Sequence, residues 1–502
     1  MLELQADDLR ALPAKLWKAG REISRRWIFG ANDHPISRLS PEILGEIFMR
    51  CLCTDGFPSV LDPPRLALEP LGLSQVSAEW RQVTLSTPSL WSTLWIDRPQ
   101  EAHIPMVQLW LERSRACPLV LYLRQTAPLV AGQQSFAHPN EYELADEILL
   151  LLGAHLHRWK RITFLFYKDT QEALLNLPEN VTAAPLLEHV QLSVKSWEPN
   201  EGAMMERILY SYSSVNSVVI HPYVSQEFIC WSRLVALDAK QLPCPINSYL
   251  HVFRHCPLLQ RAEIRCAENG VNARYVPPPR RGRLRLPHLS SFTIHADRVD
   301  LRSLFDALIL PALEGLVLRY SGSPRRAGDP QALWRLLTCS ACVLTRFSLR
   351  EADQNQDDAH ILSFLSSPQM AALKKLYLQV DLTEKIVHFL TLSSVDDATP
   401  GMLVNLNTIS LLDLQGDHID DLALYRMVVS RLASPPARSV LRNAFFSLRL
   451  KGHWNSALLP WLVERCRGRI DLRIFLAQCE DRDAKVGWYT SAPIAGGYLA
   501  DD

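Results

Sequence analysis

The residues best placed for chemistry are an isolated cysteine pair and a short acidic run. Cys339 and Cys342 have the C-x-x-C spacing of half a zinc or redox site, but a structural zinc needs a second pair. The run 353–357 begins like a calcium-binding loop, yet Asp358 stands where such a loop needs glycine and Phe364 where it needs a bidentate glutamate. We therefore predict no metal site and no cofactor, with the cysteines in the core and the acidic run in a solvated loop.

An arginine-rich stretch at residues 280–285 follows three prolines. Arginine clusters hold phosphate, RNA or acidic peptides. The chain has a formal net charge of zero and the stretch lacks interleaved aromatic residues, so we interpret it as an exposed loop and predict no nucleic-acid partner. Motifs of serine hydrolases, phosphate-binding loops and zinc proteases are also missing from the sequence, which predicts a protein that is not an enzyme.

The composition is that of a folded intracellular protein. The chain has 502 residues, of which 48% are apolar and 21% charged, and its 11 cysteines are scattered as in proteins of a reducing compartment. No apolar run reaches the roughly 20 residues of a membrane span. Residues 1–33 predict a basic amphipathic helix that packs beside the next domain or, alternatively, lies on a membrane or a partner. We expect a cytoplasmic or nuclear protein with no membrane partner.

From residue 159 to residue 480 a short apolar pattern returns many times. Apolar residues occupy positions 0, +3 and +5, as at Leu187, Val190 and Leu192, and neighbouring copies are mostly about 24 to 33 residues apart. The other copies are Trp159/Ile162/Phe164, Val215/Val218/Ile220, Leu234/Leu237/Ala239, Leu259/Ala262/Ile264, Leu289/Phe292/Ile294, Leu313/Leu316/Leu318, Leu344/Phe347/Leu349, Leu373/Leu376/Leu378, Leu406/Ile409/Leu411, Phe445/Leu448/Leu450 and the partial match Ile470/Leu472. The pattern predicts strand-plus-helix units that stack their strands in parallel and bury a continuous core.

These copies resemble a degenerate leucine-rich repeat. The Asn or Cys that this family has at its eighth position is replaced by Lys195, Ala267, Asp297, Ser321 and Asp381. The resemblance implies an α/β fold in which residues 159–480 form an irregular leucine-rich-repeat-like solenoid with a parallel concave sheet; unequal βα units without a regular solenoid are the alternative. Residues facing outward on the concave side are predicted to contact an unknown protein substrate: Thr163, Gln191, Glu263, Thr293, Ser348, Tyr377, Ser410 and Ser447.

The stretch from Pro35 to Trp95 predicts two amphipathic helices. Ser40 and Pro41 have the residue types of a helix start, and the apolar residues after them share one helical face. A second helix is predicted around Trp80 and ends at Thr87, before a proline. About 60 residues cannot bury so many large side chains among themselves, so part of the apolar surface must meet the rest of this chain or another protein.

Three blocks of this stretch closely resemble the F-box-like motif of mushroom-forming fungi. They read Leu39-x-Pro41-Glu42-Ile43-x3-Ile47-Phe48, Leu73-x2-Val76-x3-Trp80-Arg81 and Ser86-Thr87-Pro88-x-Leu90-Trp91. The resemblance implies an F-box-like domain at 34–98 that docks a Skp-type adaptor and, through it, a cullin-RING ubiquitin ligase. The implied adaptor-binding residues are Leu39, Pro41, Glu42, Ile43, Ile47, Phe48, Leu73, Val76, Trp80, Leu90 and Trp91. Trp80 and Trp91 are predicted to be binding hot spots or, alternatively, internal core anchors.

The predicted chain therefore has five parts. They are the helix at 1–33, the F-box-like domain at 34–98, connecting helices and a capping strand at 99–158, the repeats at 159–480 and a tail at 481–502. The function that this organisation implies is substrate recognition in a ubiquitin ligase, without catalysis by this chain. The alternatives are a scaffold whose F-box-like segment only caps the repeats, and a hydrolase or transferase hidden in the repeats.

Overall fold

The computed structural model describes much of the chain between residues 36 and 490. The described residues are 36, 39–52, 70–125, 140–166, 177–178, 180, 182–194, 207, 209–220, 229–267, 282–321, 330–351, 358–380, 382–392, 403–413, 421–433, 441–450, 458–467, 470–478 and 485–490. The predicted helix at 1–33, the acidic run at 353–357, and Arg280 and Arg281 lie outside them. The chain divides into two compact units: unit 1 comprises Met1–Val215, Tyr223–Ile229 and Ala495–Asp502, and unit 2 comprises Asn216–Pro222 and Cys230–Ile494.

Unit 1 begins with a group of short helices that we call the helical unit. It consists of α1 (Pro41–Leu52), α2 (Pro70–Ser74), α3 (Ala78–Ser86) and the 3-10 turn Pro88–Trp91. The single helix predicted around Trp80 is in fact α2 and α3. The break occurs at Ser77, whose side chain accepts a hydrogen bond from the Trp80 backbone N–H at 3.1 Å and so starts a new helix.

The parallel sheet of unit 1 begins earlier in the chain than the sequence pattern predicted. Its strands are β1 (Thr93–Asp97), β2 (Leu119–Arg124), β3 (Trp159–Phe166) and β4 (His189–Val194), with α4 (His103–Arg113) after β1 and α5 (Glu141–Gly153) after β2. Leu94 pairs in register with Leu121, which pairs with Ile162. The last residues of the predicted 34–98 domain therefore form the first strand of the sheet. They do so because their apolar residues, such as Leu94, align with the inward apolar residues of β2.

Unit 2 continues the alternation of strands and helices. The strands are β5 (Ser217–Val219), β6 (Ala236–Cys244), β7 (Arg261–Ala267), β8 (Leu284–Arg285), β9 (Ser291–Asp297), β10 (Leu308–Ile309), β11 (Gly315–Ser321), β12 (Arg346–Arg350), β13 (Lys375–Val380), β14 (Thr408–Asp413), β15 (Asn443–Leu450), β16 (Asp471–Gln478) and β17 (Lys485–Thr490). The helices are α6 (Ile246–Arg254), α7 (Arg302–Ala307), α8 (Pro330–Ser340), α9 (Asp358–Leu365), α10 (Glu384–Phe389), α11 (Asp421–Ala433) and α12 (Leu458–Cys466).

The sheet of unit 2 runs in chain order and is parallel up to β16. Strands β8 and β10 form a separate small pair, and β17, which lies in the predicted tail 481–502, pairs antiparallel with β16. The α/β class and the parallel sheet that the sequence predicted are thereby confirmed. The predicted inward positions are buried in every complete copy whose side chains are all described, as in Leu289, Phe292 and Ile294. In the copy at residues 445–450, Phe445 is half-buried and the side chains of Leu448 and Leu450 lie outside those described.

Backbone hydrogen bonds tie the successive repeats of unit 2 together in one recurring pattern, which we call the carbonyl ladder. One carbonyl just before each strand accepts the N–H groups of two consecutive residues at the start of the next strand, at 2.7–3.1 Å. The accepting carbonyls belong to Asn216, Val235, Gln260, Ser290, Glu314, Thr345, Lys374 and Asn407. All eight of these residues follow position 0 of the apolar pattern directly, so each copy occupies the same place in the structure.

The copy predicted at Phe445, Leu448 and Leu450 is displaced by four residues. Ile409 pairs with Ala444 and Leu411 with Phe446, and both partners in β15 are buried, so this repeat begins at the buried Leu441. Apolar residues occupy consecutive positions here, so the start of the copy is ambiguous in the sequence. Because side chains alternate along a strand, the predicted inward position Phe445 falls on the face opposite to that of Ala444 and Phe446.

Two arginines are buried and bind backbone carbonyls. Arg431 of α11 is 3% exposed, and its guanidinium donates to the carbonyls of Leu390 at 2.7 Å and Leu403 at 3.2 Å. Burial lowers the pKa of Arg431 to about 10. Arg158 plays a similar part in unit 1, donating from Nε to the carbonyl of Cys117 at 3.1 Å. These side chains satisfy carbonyls that would otherwise be buried without a partner.

Candidate binding surfaces

The inner side of the helical unit is a compact aromatic and aliphatic core. Phe48 of α1 and Trp80 of α3 are buried with their ring centroids 4.7 Å apart, and Leu44 and Leu73 are buried as well. A Cβ at Gly45 would lie 3.3 Å from Thr87 Oγ1, so glycine permits the close approach of α1 to the end of α3. These contacts fix α1 against α3.

Trp91 is an internal anchor. Its side chain is 0% exposed, its Nε1 donates to the carbonyl of Thr84 at 2.8 Å, and its ring meets Trp110 edge-on with a centroid distance of 4.8 Å. The guanidinium of Arg113 lies 4.4 Å from the ring centroid. Of the two roles left open for Trp80 and Trp91, the structure therefore shows the internal one. Trp80 and Trp91 belong to the core that lies beneath the exposed surface of the helical unit.

The outer side of the helical unit exposes apolar side chains. Ile43 is 53% exposed, and Ile47, one turn further along α1, is half-buried. We call Ile43 and Ile47 the α1 stripe. Leu71 and Leu85 are also exposed. Among the other predicted adaptor-binding residues, Pro41 and Glu42 are exposed, Leu39 and Val76 are half-buried, and Leu90 is buried. A hydrogen bond with Ser40 holds the pKa of Glu42 below its usual value, which favours an anion at the start of α1.

Each sheet has a buried face and a partly exposed face, which we call the open face. In unit 2, the strand register aligns side chains of the open face in one continuous row, formed by Glu263, Thr293, Val317, Ser348, Tyr377, Ser410 and Phe445. Ser410 is buried, and the other members are half-buried. Five predicted substrate-binding residues therefore lie side by side. Val317 and Phe445 were missed, while Ser447 lies on the same face two residues beyond Phe445.

The remaining two predicted substrate-binding residues belong to unit 1. Gln191 pairs in register with Thr163, and Thr163 with Tyr122, which pairs with Trp95. Gln191 is half-buried, whereas Thr163 is buried. The rings of Trp95 and Tyr122 stack with centroids 3.5 Å apart and planes within 2°. Tyr122 is buried like Thr163, so this face of unit 1 is both more aromatic and more covered than the sequence pattern indicated.

A network of opposite charges covers the open face of β6, β7 and β9. Lys240 Nζ lies 2.9 Å from Asp238 Oδ2 and 3.6 Å from Glu263 Oε2, and His295 Nε2 lies 2.9 Å from Glu263 Oε1. Burial acts to raise the pKa of Glu263, but the hydrogen bond with His295 and the charges of Lys240, His295 and Arg319 together hold it below its usual value. Glu263 is therefore an anion held by its neighbours.

A second group of the same face joins β7, β9 and β11. Arg265 donates to Asp297 Oδ2, and the Ser321 hydroxyl donates to Asp297 Oδ1. Asp297 and Ser321 are two of the residues at the eighth position of the repeat, and in the structure this acid and this alcohol are hydrogen-bonded to each other. In the sequence, the only sign of this contact is that Asp297 and Ser321 occupy the same position of the repeat.

The structure gives the cysteine pair an environment that disfavours metal binding. Cys339 is exposed while Cys342 is buried, and burial raises the pKa of Cys342 to about 11, so its thiolate is disfavoured. Among the residues that the structure describes, no three His, Cys, Asp or Glu side chains are grouped to hold a metal ion. Arg283 and Arg285 of the predicted basic loop are exposed, and Arg285 lies in β8.

No protein-family model matches the chain, and a search of curated proteins finds no match. Within the described residues, none of the helices has both the length and the apolar character needed to cross a bilayer.

Proposed function

We propose that the chain is a non-catalytic, two-part adaptor of a cullin-RING ubiquitin ligase. In this proposal the helical unit docks a Skp-type adaptor protein, and the open faces of a leucine-rich-repeat-like region hold a protein substrate. Holding a substrate lysine near the ubiquitin carrier raises its effective concentration, and the bond-forming chemistry belongs to other subunits. Such a protein works in the cytoplasm or the nucleus.

The observation that carries the proposal is the α1 stripe. Ile43 and Ile47 are adjacent along one side of α1 and remain accessible, whereas Leu44 and Phe48, each one position further on, are buried. The helix therefore does not need Ile43 for its own packing. Exposed aliphatic side chains over a rigid aromatic base provide the kind of apolar centre that protein interfaces use.

The test is capture of a purified Skp-type adaptor by the full chain. We expect the wild type to bind and Ile43→Asp and Ile47→Asp to weaken binding at least about tenfold, because a carboxylate in an apolar interface loses its water. Leu150→Asp is the matched control, since Leu150 on α5 is also 53% exposed. Circular dichroism and thermal melting of each variant verify that the fold is retained.

Two outcomes would contradict the ligase proposal. One is a wild-type chain that does not bind the adaptor, and the other is equal weakening by Leu150→Asp and Ile43→Asp. Either would favour the second candidate, a repeat scaffold in which the helical unit serves only as a cap. The observation behind that candidate is the packing of Trp91 against Trp110, which joins the helical unit to the start of the sheet in unit 1.

A further inference from the structure

Four positive side chains lie on the open face of β11, β12 and β13. They are Arg319, Arg346, Arg350 and Lys375, all exposed, and we call them the cationic patch. In the part of the chain that the structure describes, none of the four forms an ion pair with a carboxylate. The positive charge of Arg319 helps to lower the pKa of Glu263, but it forms no ion pair with it, whereas on β6, β7 and β9 carboxylates pair with Lys240, Arg265 and His295.

The strand register arranges the cationic patch as two pairs. Arg319 pairs with Arg350, and Arg346 pairs with Lys375. Neighbouring strands are about 4.8 Å apart and each residue advances about 3.3 Å, so the pairs are separated by about 13 Å along the strands. Like charges in neighbouring positions destabilise a sheet. The repulsion within the patch therefore lowers the stability of the free protein, and a bound anion would relieve that repulsion.

The protein surface between the two pairs of cations is less polar than the pairs themselves. Val317, Ser348 and Tyr377 lie there in one row and are half-buried. At the edge of the patch, a Cβ on Gly315 would lie 3.1 Å from Nε and Nη2 of Arg346. The missing side chain leaves space beside the backbone of β11, and the guanidinium of Arg346 occupies it. The patch thus presents exposed positive ends, of which Arg346 lies against β11, with a partly apolar centre.

We propose that the cationic patch binds an extended acidic peptide segment of a partner protein, with negative side chains at positions i and i+4 and an apolar side chain at i+2. In an extended chain these three side chains point the same way, and the outer two are about 13 Å apart. A pair of cations can hold one carboxylate or one phosphate, and arginine does so with two parallel hydrogen bonds. This proposal names the substrate class of the proposed function and rests on its substrate-recognition half.

The surroundings favour a peptide over a nucleic acid. A phosphate backbone would continue beyond β11 and meet Asp238, Glu263 and Asp297 on the same face of β6, β7 and β9. Those carboxylates are already paired with Lys240, His295 and Arg265, so a continuous line of phosphates would have to compete with them, while a peptide with two acids of limited spacing ends within the patch. The formal net charge of zero also provides no general attraction for nucleic acids.

The test uses the full-length chain and short fluorescent peptides, with binding followed by anisotropy. One peptide has glutamate at i and i+4 around a leucine, a second has phosphoserine at both positions, and a third has the same composition with the second glutamate moved to i+5. We expect the first two to bind and the third to bind at least fivefold more weakly, because the shifted side chain points away.

Variants of the patch give the second part of the test. Arg350→Glu is expected to weaken binding of the i/i+4 peptide at least tenfold, whereas the matched control Arg254→Glu, an exposed arginine on α6, leaves it unchanged. The double variant Arg319→Glu/Arg350→Glu should gain affinity for a peptide whose acid facing that pair is replaced by lysine. Such a reversal requires a folded protein and so excludes misfolding as the cause.

The proposal is overturned if the i/i+4 and i/i+5 peptides bind equally, if Arg254→Glu weakens binding as much as Arg350→Glu, or if single-stranded RNA binds more tightly through Arg350. Capture of the Skp-type adaptor is measured on the same protein samples. Failed peptide binding with intact capture overturns only this inference. Failed capture with intact peptide binding overturns only the ligase proposal.

Discussion

Arg431 and Arg350 show how differently one residue type is used in this molecule. Arg431 is buried in unit 2, and its guanidinium donates to the carbonyls of Leu390 and Leu403. Arg350 is exposed on β12 and, within the described residues, pairs with no carboxylate. Arg265 lies between these extremes, because it is partly exposed but paired with Asp297.

The comparison separates charges that complete the fold from charges that remain available. A guanidinium whose hydrogen bonds are used inside the protein contributes to stability and has little left for a ligand. One that stands beside another cation contributes nothing to stability and retains its full capacity for an anion. Replacing an arginine or its partner should therefore change stability most where the guanidinium is buried and least where it is exposed.

The largest expected effect is at Arg431. Arg431→Met should lower the free energy of unfolding by about 2–4 kcal/mol, because two buried carbonyls lose their donors. Arg426 is the matched control: it lies in the same helix but is exposed, so Arg426→Met should change stability by less than about 0.5 kcal/mol. Urea denaturation of both variants provides the measurement. Equal stability of the two would show that the buried arginine is dispensable.

A smaller effect is expected at Glu263. Glu263→Gln should cost about 0.5–1 kcal/mol at neutral pH, a modest value because Glu263 and Lys240 are partly exposed. The pKa of Glu263 is lowered from its usual value of 4.5 in the folded protein, so its contribution is complete above that value and is lost as the pH falls through the folded-state pKa.

The measurement for Glu263 is the difference in unfolding free energy between wild type and Glu263→Gln as the pH is lowered. The difference should disappear in acid, when the wild-type side chain is protonated. A difference that stays constant through this range would mean that packing, and not the charge of Glu263, stabilises the network.

The smallest effects should have opposite signs at two arginines of the same face. Arg265→Gln removes the partner of Asp297 and should lower stability by about 0.5 kcal/mol. Arg350→Gln removes one of two adjacent like charges and should raise stability by a few tenths of a kcal/mol, about the size of a like-charge pair. Thermal melting at low and high salt compares them, and both differences should shrink at high salt. A loss of stability in Arg350→Gln would contradict the idea that the cations of the patch repel one another and lack anionic partners.

The sheet could be predicted from the sequence because most strands have apolar inward residues at a regular spacing. The triplet of Leu313, Leu316 and Leu318 is apolar at 0, +3 and +5 and is buried as predicted. The prediction failed at Phe445, because apolar residues occupy consecutive positions there and only the pairing with β14 shows that the copy begins four residues earlier, at Leu441. The early strand β1 was missed because its residues were interpreted as part of the helical stretch.

The candidate surfaces were less predictable, since they depend on residues that are distant in the sequence. Nothing near Asp238 in the chain indicates that Lys240 will also face Glu263 from the next strand. Likewise, the spacing of Ile43, Leu44, Ile47 and Phe48 marks one apolar face, and only the position of α3 shows which pair becomes buried. From the sequence alone, Trp91 could have faced either outward or inward. Only its packing against Trp110 in the structure decides between the two.

The carbonyl ladder separates the alignment of the strands from the lengths of the connections between them. Each strand is positioned by hydrogen bonds to its predecessor at one fixed backbone point, from Asn216 to Asn407. A connection on the helical side can therefore gain or lose residues without displacing Arg350 relative to Arg319. The protein could thus accept tags or inserted loops between repeats while its binding face keeps the same spacing, which makes it a practical framework for grafting new specificities.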